Sequence, residues 1–312
     1  MPAALIGHTG FVGSNLDRQF TFDGRYNSSN IAEIRNKKFD LVICAGIKAE
    51  KWLANKHPEE DLRQILNLIE NLKQVKAAKF VHISTVDVYE NPVGVDEYTL
   101  IDPNGGHPYG RNRFHAEKML KNVFDDILII RLPALFGKGL KKNFIFDLLN
   151  PIPRVIMPDK FKEIRKNLNP EDINFLESCY SLNTHLNLVQ GLNKDTLERL
   201  LAILKKAGFT SLNFTHRESV FQYYPLANLR KDIEFAIQQN INLLNLVTEP
   251  ISSHELAKEV FGLEFFNATG KPPVYYDIKT IHHHHWKHDD GYVYSKDQIL
   301  GWLKDYRRDF KP

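Results

Sequence analysis

Short apolar runs alternate with longer amphipathic stretches along the first 133 residues, and this alternation limits the possible folds more than any other feature. AALI (3–6), DLVICAG (40–46), KFVHIST (79–85) and DILIIRLP (126–133) are apolar almost throughout. A strand covered on one face alternates polar and apolar residues. Strands this uniform need cover on both faces, which a parallel sheet flanked by helices provides. The stretches between them read as helices: SNLDRQF, then residues 59–76 with Leu62, Ile65, Leu66, Leu68, Ile69 and Leu72 at roughly helical spacing, then RFHAEKMLKNVF. The expected architecture is α/β, a doubly wound parallel sheet of the Rossmann type.

Beyond Pro133 the pattern loosens. GKGLKKNFIFDLLNPIPRVIMPDKF scatters prolines and basic residues, and KDTLERLLAILKKAG (194–208) reads as a helix stopped by Gly208. FQYYPLANLRKDIEFAIQ and INLLNLVTEPISSHELAKEVFG again resemble strand–helix pairs. Residues 1–137 with about 219–248 are expected to form the sheet domain. About 138–218 with 249–290 would form a smaller, discontinuous lobe, and 291–312 a terminal helix.

The 41 Lys and Arg are nearly matched by 38 Asp and Glu, for a net charge of +3. Such a balance lacks the basic stripe that binding a nucleic acid along its length requires. Cys44, inside an apolar run, and Cys179 suggest reduced thiols rather than a disulfide framework. The chain enters a strand pattern at its first residues, without a basic leader or cleavage site, and no apolar run is long enough to span a bilayer. A cytoplasmic location follows by default, with no membrane partner. The run His282, His283, His284, His285 with His288, Asp289 and Asp290 suggests a metal site at first sight. Adjacent histidines do not converge on one ion, and no H-E-x-x-H or Cys/His spacing accompanies them. A polar loop, with no metal, is expected.

ALIGHTGFVGSNL places Gly7, Gly10 and Gly13 between the first strand and the first helix. A tight turn, a close backbone approach to pyrophosphate and close helix–strand packing each ask for glycine there. The helix start offers free N–H groups to phosphates. A dinucleotide is expected on this turn, touching Gly7, Thr9, Gly10, Phe11, Val12 and Gly13. The second strand falls near FTFDGRYN, where an acid would hold an adenosine 2′-hydroxyl. Asp23 comes early, and the expected place holds Asn27, Ser28 and Ser29 near Arg25. That polarity suits a 2′-phosphate better, favouring NADP with NAD left open.

The G-x-x-G-x-x-G spacing resembles the extended short-chain dehydrogenase/reductase family, which acts mostly on nucleotide-activated sugars. CAGIKA is similar to that family's segment after the third strand, HISTVDVYE to its S-[ST]-x-x-V-Y strand end, YGRNRFHAEK to its tyrosine helix, and IIRLPALFGKG to its R-P-x-x-x-[FY]-G run. The segments occur in the family's order over roughly the first 140 residues. The resemblance implies cofactor contacts at Cys44, Ala45, Gly46, Tyr109, Arg113 and Pro133. It also implies a site in which Thr85 polarises the substrate oxygen and Tyr109 exchanges its proton. The family is often dimeric through helices matching 59–76 and 109–123, so a homodimer is a further expectation.

The family's lysine four residues after the tyrosine is Arg113 here. Four residues advance about 400° along a helix, so both side chains share a face. A guanidinium can lower a phenol's pKa and bond a ribose hydroxyl, yet it does not release a proton. Asp87 matches the second acid of the dehydratases' acidic pair, while Val86 stands where the first would be, which argues against dehydration. The expected function is NAD(P)-dependent keto-sugar reduction or epimerisation on a nucleotide sugar. Lys141, Lys142 and Asn143 are candidate diphosphate contacts, Asp87 faces the sugar, and Tyr223 is a stacking platform. The competing reading is a catalytically weak or inactive dinucleotide-binding sensor or scaffold.

Overall fold

A computed structural model describes residues 2–182 and 186–310. Six strands, β1 (Ala3–Ile6), β2 (Gly24–Tyr26), β3 (Lys38–Cys44), β4 (Lys76–Thr85), β5 (Ile127–Leu132) and β6 (Leu243–Asn245), form one sheet in the order β6-β5-β4-β3-β1-β2. Every neighbouring pair is parallel. The uniform apolar runs are therefore buried strands of a Rossmann-like sheet. β3 and β4 start earlier than their apolar runs, at Lys38 and Lys76. From β1 the chain steps outward to β2 and then returns to the other side of β1. This reversal makes the C-terminal ends of β1 and β3 the topological switch point, where open α/β sheets bind ligands.

Four helices position the site: α1 (Phe11–Asp17), α2 (Lys51–Lys56), α3 (Pro58–Leu72) and α4 (Pro108–Lys121). α2 lies in a stretch with no helical expectation from sequence. α3 begins with Pro58, whose missing N–H is no loss at a first turn, and Glu59, Glu60 and Asp61 complement its positive end. Ile65, Ile69 and Leu72 of α3 and Ala116 and Leu120 of α4 pack on Val42, Cys44, Phe80 and Ile129 of the sheet. Phe80 stacks on Phe124 at 3.9 Å between ring centroids.

A buried ion pair fastens α4 to the sheet. Arg131 of β5 and Glu117 of α4 are 3% and 2% exposed and lie 2.6 Å apart. Ser84 of β4 donates to Glu117 at 2.5 Å, and Arg131 donates to the Tyr89 hydroxyl at 2.8 Å. Beside them His82 is fully buried, with neither ring nitrogen bonded among the described residues. Burial pushes its pKa down to about 4, against an opposing pull from Glu117.

The chain divides into two compact units. The first comprises Met1–Leu140, Val220–Ile251 and Tyr275–Leu303; the second Lys141–Ser219, Ser252–Val274 and Lys304–Pro312. Residues 275–290, expected in the smaller lobe, fall in the first unit, where Asp277–Ile278 pairs with Val93–Val95. The terminal helix spans Lys296–Asp309. The second unit packs Phe161, Leu176, Leu200 and Leu204 around the helices Pro158–Arg165, Pro170–Cys179 and Lys194–Lys206. No described helix is long and apolar enough to cross a membrane.

Candidate active site

The glycine turn sits at the switch point, and its geometry leaves no room for a side chain at Gly7 or Gly13. Gly7 has φ +85°, and a Cβ there would lie 2.4 Å from the Ala45 carbonyl oxygen. A Cβ on Gly13 would lie 2.0 Å from the Gly7 oxygen. The loop after β1 thus nests directly on the loop after β3. Gly10 differs: a Cβ would meet only the Gly7 oxygen, at 3.3 Å, with otherwise open space beside it. Among the described residues no side chain caps α1, so its first amides keep the donors that a phosphate takes. A dinucleotide pyrophosphate fits this bare turn.

β4 ends in Thr85, whose Oγ1 accepts from the Asp87 backbone N–H at 3.1 Å. α4 starts with Pro108 in its first turn and His107 capping it: Nδ1 accepts from the Gly110 N–H at 3.0 Å. This start brings Tyr109, 7% exposed, against the end of β4, close to the Thr85 hydroxyl. Gly110 permits the approach, because a Cβ there would fall 2.0 Å from the Asp87 carbonyl oxygen. Burial pushes the Tyr109 phenol up to about 12; Arg113 and the Thr85 hydroxyl pull it down, while Asp87 and Asp61 push it further up. In the ligand-free protein Tyr109 is therefore a protonated acid.

Arg113 lies on the expected face, its guanidinium 4.0 Å from the centre of the Tyr109 ring. It then reaches past the ring. Nη1 donates to Asp61 of α3 and Nη2 to the Lys48 carbonyl, leaving Nε without a partner among the described residues. Asn112 donates to the same Asp61 oxygen at 2.8 Å. A flat, forked cation can stack on a phenol, pair with a carboxylate and bond a carbonyl at once; an ammonium cannot. The Arg113 charge is matched by Asp61, which limits what it does for the phenol.

Three residues without a sequence signal complete the surroundings. Lys51 of α2 donates to Asp87 at 2.8 Å and to the Tyr276 hydroxyl at 3.4 Å. Tyr276 donates to the same Asp87 oxygen at 2.9 Å. Asn55 of α2 accepts from the Tyr109 backbone N–H at 2.9 Å. Lys51, in AEKWLANK, is 36 residues from Asp87 in the chain, and Tyr276 is 189 residues from it. Neither proximity leaves a trace in local spacing.

Residues 3–159, about half of the chain, match the NAD dependent epimerase/dehydratase family. The chain belongs to that family. No curated protein sequence matches significantly. Among solved structures, a dTDP-4-dehydrorhamnose reductase from Bacillus anthracis in complex with NADP is similar, with TM-score 0.63, 15% identity, and 99% of each chain covered. MoeE5 in complex with UDP-glucuronic acid and NAD gives TM-score 0.62 at 15% identity, covering 99% of this chain and 100% of that one. A UDP-N-acetylglucosamine 4-epimerase from Methanobrevibacter ruminantium gives 0.61 at 13%, covering 98% and 97%. At these identities the likeness is one of fold.

The remaining family positions are placed as follows. Thr9 is exposed on the turn, and Phe11 and Val12 open α1. Cys44 is fully buried with its thiol pushed up to about 11 by burial, while Ala45 and Gly46 after it are half-buried. Asn27 binds the Ser29 N–H and hydroxyl at 2.8 and 2.6 Å, next to Ser28, and Arg25 pairs with Asp17 at 2.7 Å. These groups close a local turn. Asp23 accepts from the Ala3 N–H at 2.8 Å. Pro133 joins β5 to the short strand Ala134–Phe136. In the second unit, Lys141 and Lys142 are exposed, while Asn143, at φ 109°, caps the helix Phe144–Leu149 by accepting from the Phe146 N–H at 3.1 Å. Tyr223, 1% exposed, turns its ring toward Phe221 at 6.0 Å rather than toward solvent. Trp286 of the histidine segment donates to the buried Asp232 at 3.1 Å, and among the described residues no three His, Cys, Asp or Glu gather as a metal site.

Proposed function

We propose that this chain is an NAD(P)-dependent oxidoreductase that reduces a keto group on a nucleotide-activated sugar. One observation carries the reading: a buried Tyr109 phenol, close to Thr85 and stacked under the Arg113 guanidinium, lies at the end of β4 in a sheet whose switch point carries a bare glycine turn. The turn at Gly7, Thr9, Gly10, Phe11, Val12 and Gly13 would hold the pyrophosphate, and Arg113 Nε is the donor left for a ribose hydroxyl. The nicotinamide, when bound, supplies the hydride. Thr85 holds the substrate oxygen by its hydroxyl, and Tyr109 gives that oxygen a proton. A phenol kept protonated by burial is suited to donating, which favours reduction over oxidation. Epimerisation would use the same pair in both directions. The likeness to structures solved with NADP, with NAD and with a UDP-sugar supports both ligand classes.

The test is a screen of nucleotide keto-sugars with NADPH and NADH, following absorbance of the reduced cofactor, together with calorimetry of dinucleotide binding. Turnover with at least one substrate, lost by about a hundredfold or more in Tyr109→Phe, is expected. Binding without any turnover would instead favour the sensor reading, and no binding would overturn both.

A further inference from the structure

His8, half-buried between Gly7 and Thr9, is the ionisable side chain of the glycine turn. Its Nδ1 lies 3.1 Å from the carbonyl oxygen of Tyr26, the last residue of β2. A carbonyl oxygen only accepts, so Nδ1 carries the hydrogen and the ring tautomer is fixed. The other ring nitrogen, Nε2, has no partner among the described residues and is not enclosed. It is an acceptor while the ring is neutral and a charged donor once the ring is protonated. The turn does not need this bond to hold its shape, because the Gly7 N–H already donates to the Tyr26 carbonyl at 2.7 Å.

In sheets of this type the end of the second strand reads the adenosine ribose. An acid there holds the 2′-hydroxyl of NAD, and a cation accommodates the 2′-phosphate of NADP. At the end of β2 both kinds of group are engaged elsewhere. Asp23 accepts from the Ala3 N–H, and Arg25 pairs with Asp17 of α1. Asn27 closes on the Ser29 hydroxyl at 2.6 Å. The other charged groups on the surrounding elements do not meet the His8 ring. Arg18 of α1 donates to the Ser14 carbonyl, and Lys37 donates to the Tyr26 hydroxyl at 3.1 Å. Glu33 after β2, and Lys48 and Glu50 after β3, are exposed.

We propose that His8 reads the adenosine 2′ position and sets the choice between NAD and NADP. With the ring neutral, Nε2 accepts from the 2′-hydroxyl of NAD. With the ring protonated, it donates a charge-assisted bond to the 2′-phosphate of NADP. An anion beside an imidazole favours its charged form, so the preference for NADP grows as pH falls through the ordinary imidazole range near about 6.5. The inference rests on a dinucleotide occupying the glycine turn, and it names the group that selects between the two.

Calorimetry of NADP and NAD binding to the ligand-free protein, at about pH 6 and about pH 8.5, tests it. Two variants accompany the wild type: His8→Gln removes the titration, and His8→Lys fixes the charge. The ratio of NADP to NAD affinity should rise about tenfold toward the lower pH in the wild type. In His8→Gln it should change only by the titration of the 2′-phosphate itself, and in His8→Lys it should favour NADP at both pH values. Nuclear magnetic resonance titration of the His8 ring should show it protonating at a higher pH with NADP bound than with NAD bound. If the ratio moves alike in the wild type and His8→Gln, or if the ring titrates identically with both ligands, the proposal is overturned while the dinucleotide reading stands. If His8→Gln weakens NAD and NADP by the same factor at both pH values, the ring only packs the turn and the proposal is equally overturned. If the wild type binds neither ligand, the dinucleotide reading fails first and the proposal falls with it.

Discussion

Replacing Glu117 with methionine should unfasten the helix that carries Tyr109 and Arg113. The carboxylate holds two donors of Arg131, at 3.0 and 2.6 Å, and the Ser84 hydroxyl. Without it, Arg131 remains 3% exposed and, among the described residues, keeps the Tyr89 hydroxyl as its side-chain partner, at 2.8 Å. Removing one member of a buried pair costs about 3–5 kcal/mol, because the other charge is left in a low-dielectric interior. For a protein of this length a urea slope of about 3 kcal/mol/M then puts the midpoint shift at about 1–2 M. The double variant Glu117→Met with Arg131→Met removes both charges and should recover most of the loss. Near-ultraviolet circular dichroism, which reports packing around Phe80, Phe124 and Tyr89, is a suitable probe. If the single and double variants are equally destabilised, packing volume rather than an orphaned charge is responsible and the reasoning is refuted.

Three further outcomes follow from the same contacts. Gly13→Ala would drive a Cβ to 2.0 Å from the Gly7 oxygen; overpacking of this kind costs about 1–3 kcal/mol, and calorimetry should show a lower melting temperature and weakened dinucleotide binding. Arg113→Lys should lose stability and activity together, since one ammonium cannot keep both Asp61 and the Lys48 carbonyl; a variant faster than wild type would show that the arginine cripples the site. Acid should destabilise the fold through His82. Its folded pKa of about 4 lies below the ordinary 6.5, so the folded state binds fewer protons. The stabilisation is complete above about pH 6.5 and is lost as the pH falls toward about 4, up to about 3 kcal/mol in all. Urea midpoints measured across that range should fall in the wild type and much less in His82→Gln.

The local sequence determined the sheet and the turn. Uniform apolar runs demand two covered faces, and glycines at positions 7, 10 and 13 mark a loop where backbone must approach backbone, because both demands are met within a few neighbouring residues. The Tyr109 and Arg113 pairing was legible for the same reason: helical periodicity places them on one face. What periodicity cannot carry is the partner of each charge. That Arg113 is matched by Asp61, that Lys51 and Tyr276 meet on Asp87, and that residues 275–290 join the sheet unit were settled by strand order and helix packing, which bring together residues up to 189 positions apart. Tyr223 makes the same point from the other direction. An aromatic residue in a strand pattern reads equally as a ligand platform or as core, and only its surroundings, closed at 1% exposure, decide between them.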